Sequence, residues 1–167
     1  MNCRREYSHF PFFINLADKK IVVIGGGKIA LRRVQVLVKF GAKVIVIAPE
    51  IKKELDLMNQ KGKINVIKKE YKEGDIKGAD MVIAATDKKD VNEAVVKDAR
   101  KLKIFVNTVD CKENCDFFFP AIFSDENIIG GIISNNGENH RQVKEKASKI
   151  REFLKRGVLQ NENNKGG

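Results

Sequence analysis

Residues 21–30 read IVVIGGGKIA, and this stretch decides the fold. Its first four residues are β-branched and apolar, which is typical of a strand that is buried on both faces of a sheet. Three glycines stop the strand. The pattern that follows places Val34 and Leu37 on one apolar stripe and predicts a helix that ends at Gly41. The stretch therefore predicts a strand, a tight turn and a helix in direct succession.

The glycine turn fits the pattern G-x-G-x-x-A, with Gly25, Gly27 and Ala30 at the fixed positions. Gly25 permits the tight turn, and the absence of a side chain at Gly27 lets a phosphate approach the backbone. Ala30 lets the helix lie close to the sheet. Free N–H groups and the dipole of the helix would then attract the phosphates. We predict that Gly25, Gly26 and Gly27 bind a dinucleotide; a glycine turn without a ligand is the alternative.

Strands and helices continue to alternate after this turn. Four further apolar runs predict strands at residues 44–48, 64–67, 80–85 and 103–106. A helix is predicted over residues 50–60. Another is predicted from an N-cap at Asp87, with its apolar stripe at Val91, Ala94, Val95 and Leu102. This order indicates an α/β fold with a doubly wound, Rossmann-like parallel sheet.

The pattern changes after Asp110. Two apolar runs on either side of the polar turn 125–127 predict an antiparallel hairpin, and a helix is predicted over 138–156. The hairpin carries more apolar surface than it can bury alone, so we expect it to pack against a partner subunit. The sequence thus predicts a nucleotide-binding domain at residues 1–110 and a small α+β dimerisation segment at residues 111–167.

Three predicted strand ends offer further site residues, because ligands of such sheets bind beside the carboxyl ends of the strands. The second strand runs into Pro49 and Glu50, where no arginine is present to hold a 2′-phosphate, so NAD is favoured over NADP. Thr86 follows the fourth strand and could hydrogen-bond the dinucleotide; the start of a capped helix is the alternative. Asp110 follows the fifth strand and could accept a proton or ligate a metal, unless it is an ordinary loop residue.

Composition limits the class of partner. The chain has 32 Lys and Arg against 22 Asp and Glu, a formal net charge of +10, which favours nucleic acid, anionic lipid or a polycarboxylate molecule. The basic residues are spread along the chain, which argues against nucleic acid.

No run approaches the roughly 20 apolar residues of a membrane helix, and residues 1–13 lack a signal pattern. Cys111 and Cys115 have no second pair of metal ligands nearby. We expect a cytoplasmic protein with no nucleic-acid, membrane or resident metal site.

Taken in order, these segments resemble the precorrin-2 dehydrogenase family, which forms the N-terminal module of siroheme synthase. The resemblance extends over residues 9–156. It rests on Phe10–Phe13, the glycine turn, Arg32-Arg33, Ala48–Glu50, Ala84–Asp87, Val106-Asn107, Val109-Asp110, Cys115–Phe117 and Phe119–Ala121.

The resemblance implies a function. Members of the family are homodimers that oxidise precorrin-2 to sirohydrochlorin with NAD⁺, and some also insert Fe²⁺. By this resemblance Asp110 is the catalytic residue, and Lys28, Ile29, Pro49 and Glu50 contact the cofactor. The tetrapyrrole substrate carries several carboxylates, which would suit the basic chain. A non-catalytic module that binds NAD or carries a tetrapyrrole is the alternative.

Overall fold

The computed structural model describes residues 9–135 and 139–163, with side chains up to Lys155. The chain forms two compact units. The larger unit runs from Phe13 to Phe117, and the smaller unit combines the residues before it with those from Phe118 onward. The assignment of residues 1–110 to nucleotide binding and of residues 111–167 to dimerisation stays a prediction.

The larger unit, all of which is described, contains a parallel sheet, three α-helices and a short 3-10 helix (Lys112–Asn114). Its strands are β1 (Lys20–Ile24), β2 (Lys43–Ile47), β3 (Asn65–Ile67), β4 (Met81–Ala84) and β5 (Phe105–Thr108). Its helices are α1 (Lys28–Lys39), α2 (Lys53–Gln60) and α3 (Lys89–Leu102). The strands lie in the order β3-β2-β1-β4-β5, and every pair is parallel. The predicted α/β, doubly wound sheet is confirmed.

The central strand β1 explains the continuous apolar run. Ile21, Val22 and Val23 are all 0% exposed, and because successive side chains point to opposite faces, both faces of β1 must be covered. Ile24 pairs with Ile47 of β2 and with Ala84 of β4. The carboxyl ends of these three strands are therefore level, and the residues that follow them meet at one edge of the sheet.

Helix α3 differs from the prediction in its start and in its buried face. Its N-cap is Lys88 rather than Asp87, and no side chain caps it. Ala94 and Leu102, which were expected in the apolar stripe, are exposed, whereas Asn92 and Asp98 are buried. Val91 and Val95 of the predicted stripe do pack on the core. The other half of the stripe was wrong because the prediction followed apolar residues only, whereas Asn92 and Asp98 are buried on this helix.

Two other boundaries also lie later than predicted. Helix α2 begins at Lys53, because residues 49–52 form a loop in which the Lys52 N–H donates to the Gly26 carbonyl at 2.9 Å. Strand β5 begins at Phe105, because Lys103 adopts a left-handed conformation (φ 56°) that ends α3 and turns the chain back to the sheet.

The smaller unit contains the predicted hairpin and a long helix. Its strands β6 (Ala121–Ser124) and β7 (Ile129–Ile132) pair antiparallel, and the carboxylate of Asp125 accepts the N–H groups of Asn127 (2.8 Å) and Ile128 (2.7 Å) in the turn. Helix α4 (His140–Asn163) packs on β6, and its residue Ala147 is fully buried. The predicted helix start, Glu138, lies outside the described residues. Across the described part of the chain, no helix combines the length and apolar character needed to cross a bilayer.

Candidate active site

A crevice of about 1110 Å³ lies at the carboxyl ends of β1, β2 and β4. It is lined by the segments 24–29, 47–52, 70–71, 85–88 and 90–91. Ligand pockets for smaller molecules usually measure about 300–1,000 Å³, so the crevice has room for a dinucleotide. Eight predicted cofactor residues line it, namely Gly25, Gly26, Gly27, Lys28, Ile29, Pro49, Glu50 and Thr86.

The first two glycines of the loop are required by the fold. Gly25 has a φ of +118°, and a side chain there would overlap the carbonyl oxygen of Ala85. A side chain at Gly26 would overlap the backbone of Glu50. The absence of both side chains lets the end of β1 lie directly against the loops that follow β4 and β2.

Gly27 differs, because it leaves space for a ligand. It is the N-cap of α1, and no atom lies within 4 Å of the position that its Cβ would take. The first N–H groups of α1 have no partner within the helix and point toward this end. Ala30 is fully buried, which lets the helix start close to the sheet, as predicted. An open backbone surface at a helix N-terminus fits the pyrophosphate of a dinucleotide.

Charged side chains and one tyrosine from the segments that follow β3 and β4 also line the crevice. Lys88 forms an ion pair with Glu70 at 3.5 Å. Tyr71, which the sequence analysis missed, donates its hydroxyl to Asp98 at 2.7 Å. Burial of the ring, followed by this contact with Asp98, raises the pKa of the phenol, so Tyr71 is neutral at physiological pH. Tyr71 lies in an irregular segment, where no periodic pattern could have indicated that it lines the crevice.

Thr86 lies on the crevice wall, but its hydroxyl is engaged within its own loop. The Oγ1 atom lies 2.8 Å from Asn92 Oδ1 and 2.9 Å from the Lys88 carbonyl, and it accepts the Lys88 N–H at 3.2 Å. The single hydroxyl hydrogen therefore has two acceptors inside the protein. The predicted hydrogen bond from Thr86 to a dinucleotide would have to compete with them.

Asp110 is not part of the crevice lining, but hydrogen bonds connect it to Thr86. Asn92 Nδ2 donates to the Asp110 carboxylate at 2.9 Å and to the Thr86 carbonyl at 3.1 Å. The hydroxyl of Thr108 donates to the other carboxylate oxygen. Strands β4 and β5 are neighbours, and Ala84 pairs with Thr108, so Asp110 lies at the same edge of the sheet as the crevice.

The surroundings of Asp110 favour its ionised form. Partial burial raises the pKa of the carboxyl, but the hydrogen bonds from Thr108 and Asn92 and the charge of Lys89 outweigh it. The net result is a pKa below the ordinary value of 3.8. Asp110 is therefore a carboxylate at neutral pH, which is the state needed to accept a proton.

Cys115 is partly buried and forms hydrogen bonds with the protein. Its Sγ atom lies 3.3 Å from the Thr108 N–H and 3.4 Å from Asn107 Nδ2, and burial raises the pKa of the thiol. Within the described residues, no group of three His, Cys, Asp or Glu side chains is arranged to hold a metal ion.

A protein family described as putative NAD(P)-binding matches residues 12–121, which include the whole of the larger unit. The chain belongs to this NAD(P)-binding family. The prediction of a nicotinamide dinucleotide cofactor is confirmed by this family description, which covers both NAD and NADP.

The chain is also similar to proteins of siroheme biosynthesis. It is 44% identical over 147 residues to a probable multifunctional siroheme biosynthesis protein HemA from Ruminiclostridium josui, a match that covers 88% of this chain and 28% of that protein. It is 39% identical over 126 residues to a siroheme synthase from Psychrobacter arcticus, which covers 75% of this chain and 23% of that protein. The chain thus spans about a quarter of the length of these relatives.

A solved structure of SirC, a precorrin-2 dehydrogenase, is similar to this NAD(P)-binding chain with a TM-score of 0.68 and 25% identity. The match covers 89% of this chain and 71% of SirC. The predicted resemblance to the family of precorrin-2 dehydrogenases and siroheme synthases is thereby confirmed.

Proposed function

We propose that this chain is an enzyme that oxidises precorrin-2 to sirohydrochlorin with NAD⁺. The observation that carries the proposal is the placement of Asp110. This residue is ionised, follows β5, and is linked through Asn92 to the wall of a crevice that fits a dinucleotide. The relatives named above act in siroheme biosynthesis or carry the name of this activity, which supports the substrate class.

The glycine loop and the end of β2 would hold the cofactor. The open space at Gly27 and the N–H groups of Lys28 and Ile29 suit the pyrophosphate, and Pro49 and Glu50 line the crevice beyond them. When bound, NAD⁺ supplies the acceptor for a hydride.

Asp110 would accept the proton that leaves together with the hydride. Dehydrogenation removes one hydride and one proton from the substrate, so the reaction balances when a base takes the proton. Asp110 is held in its ionised form, and it is exposed, so a substrate can reach it. The net charge of +10 suits a substrate that carries several carboxylates.

We also propose that the chain forms a homodimer. We place this enzyme in the cytoplasm. Large apolar side chains are exposed in the smaller unit, among them Ile128 (53%), Ile129 (47%) and Phe153 (75%). Exposed large apolar side chains are typical of interaction sites when they cluster, and the resemblance to a dimeric family favours a second copy of the chain as the partner.

An assay of turnover tests the activity. Purified protein is mixed with precorrin-2 and NAD⁺, and sirohydrochlorin and NADH are followed by absorbance. We expect turnover by the wild type and a fall of at least about 100-fold in the Asp110→Asn variant, because general base catalysis contributes about 10²–10⁴-fold. The control is Asp18→Asn, which removes an exposed carboxylate near the start of β1 and tolerates the φ of 62°.

Two outcomes would count against the proposal. If the wild type bound NAD⁺ and the tetrapyrrole without turnover, a non-catalytic carrier would be the better description. If Asp110→Asn and Asp18→Asn were equally active, Asp110 would have no part in the reaction. Repeating the assay with Fe²⁺ tests metal insertion separately.

A further inference from the structure

Asn92 is the most enclosed polar side chain near the proposed reaction site. It lies in the first turns of α3, is 1% exposed, and joins the end of β4 to the loop after β5. Its Oδ1 accepts the Thr86 N–H at 3.2 Å and lies 2.8 Å from the Thr86 hydroxyl. Its Nδ2 donates to the Thr86 carbonyl at 3.1 Å and to Asp110 at 2.9 Å.

The orientation of the Asn92 amide follows from these partners. The Thr86 N–H can only donate, so an oxygen must face it. The Thr86 carbonyl and the ionised Asp110 carboxylate can only accept, so the NH₂ group must face them. The two hydrogens of the amide nitrogen and the carbonyl oxygen are all used, and a buried network of this kind has one arrangement.

We propose that Asn92 is a positioning residue that holds the Asp110 carboxylate and the crevice wall at Thr86 as one rigid group. The proposal rests on the proposed function, because it concerns how Asp110 is aimed during dehydrogenation. Asn92 touches neither reactant; it acts through Asp110 and through the Thr86 backbone. Its effect belongs to the chemical step, because small displacements of a catalytic group reduce rate more than binding.

No other residue type of similar shape satisfies both partners. Aspartate keeps the acceptor for Thr86 but places a second carboxylate against Asp110, where like charges at hydrogen-bonding distance raise the apparent pKa of the pair. Leucine removes the donor and leaves the Thr86 backbone groups without a partner. The other groups that face Asp110 are the Thr108 hydroxyl and the charge of Lys89.

The test compares Asn92→Asp with a matched control, Asn59→Asp. Asn59 also joins two elements, but its Oδ1 only accepts the Val66 N–H at 3.0 Å, and a carboxylate can do the same. In Asn92→Asp we expect kcat with precorrin-2 to fall at least about tenfold, with KM changing less than about threefold. We also expect the acidic limb of the pH–rate profile to move up by at least about one pH unit. Asn59→Asp should match the wild type in all three.

A second measurement separates this inference from the proposed function. The proteins are labelled with ¹³C-aspartate, and the NMR signal of the Asp110 carboxyl is assigned by comparison with Asp110→Asn. This signal is followed as a function of pH, without substrate, in the wild type, Asn92→Asp and Asn92→Leu. The apparent pKa of Asp110 should rise in both variants. If the wild type fails to turn over but this rise occurs, the proposed function fails and the contact with Asn92 stands. If the titration of Asp110 and the pH–rate profile are unchanged in folded variants, the positioning role is overturned.

Discussion

Gly25 and Gly27 are two positions apart in the same loop and meet different constraints. The backbone at Gly25 has a positive φ and lies against Ala85, so only glycine fits there. Gly27 has an ordinary φ of −82° and open space around it, so the fold would accept a side chain. The fold itself therefore does not require glycine at position 27, and we expect that a bound dinucleotide would.

A pair of alanine variants tests this difference. Gly25→Ala should lower the free energy of unfolding by at least about 2 kcal/mol, because it combines backbone strain with overlap on Ala85. Gly27→Ala should change it by less than about 1 kcal/mol. It should nevertheless weaken NAD⁺ binding at least about tenfold, because the methyl group occupies the space above the N–H groups. Urea unfolding and calorimetric titration measure the two effects, and normal NAD⁺ affinity in Gly27→Ala would contradict the assignment of the loop.

At the scale of elements, the end of α3 carries a small strain. Lys103 is exposed and adopts a left-handed conformation, which costs a residue with a Cβ about 1 kcal/mol relative to glycine. Lys103→Gly should therefore raise the free energy of unfolding by about 0.5–1 kcal/mol. The control is Lys97→Gly in the interior of the same helix, which should lower it by about 1 kcal/mol. Thermal unfolding of both variants measures these changes in stability. If both variants were less stable than the wild type, the left-handed conformation of Lys103 would not be a source of strain.

Much of the larger unit was predictable, because the decisive signals are local. Continuous apolar runs indicated β1, β2 and β4, and the glycine turn indicated the start of α1. The turn also lines the crevice, and its binding of a dinucleotide stays a prediction. The buried face of α3 was predicted only in part, at Val91 and Val95, because hydropathy cannot identify a buried Asn92. Asn92 contacts a carboxylate 18 residues away and Tyr71 contacts one 27 residues away, and one sequence gives no signal for such pairs.

At the scale of the whole molecule, the apolar surface of the smaller unit predicts self-association. The variant Ile128→Glu/Ile129→Glu places charges on exposed positions of the hairpin and should not disturb its folding. We expect the wild type to have twice the 18.8 kDa mass of the chain and this variant to have the monomer mass. Light scattering coupled to gel filtration measures both. The control Leu57→Glu, at an exposed apolar position of α2 in the larger unit, should keep the mass of the wild type; a monomeric wild type would contradict the dimer.

The backbone hydrogen bond between Lys52 and Gly26 has a consequence for protein engineering. It holds the segment that carries Pro49 and Glu50 against the glycine loop, and the two backbones are packed so closely that a side chain at Gly26 would not fit. Attempts to change coenzyme preference by lengthening the 49–52 segment would therefore also distort the glycine loop, where we propose that the pyrophosphate binds. Exchanges of single side chains at exposed Glu50 leave that hydrogen bond intact, so they are the safer route to an NADP-accepting variant.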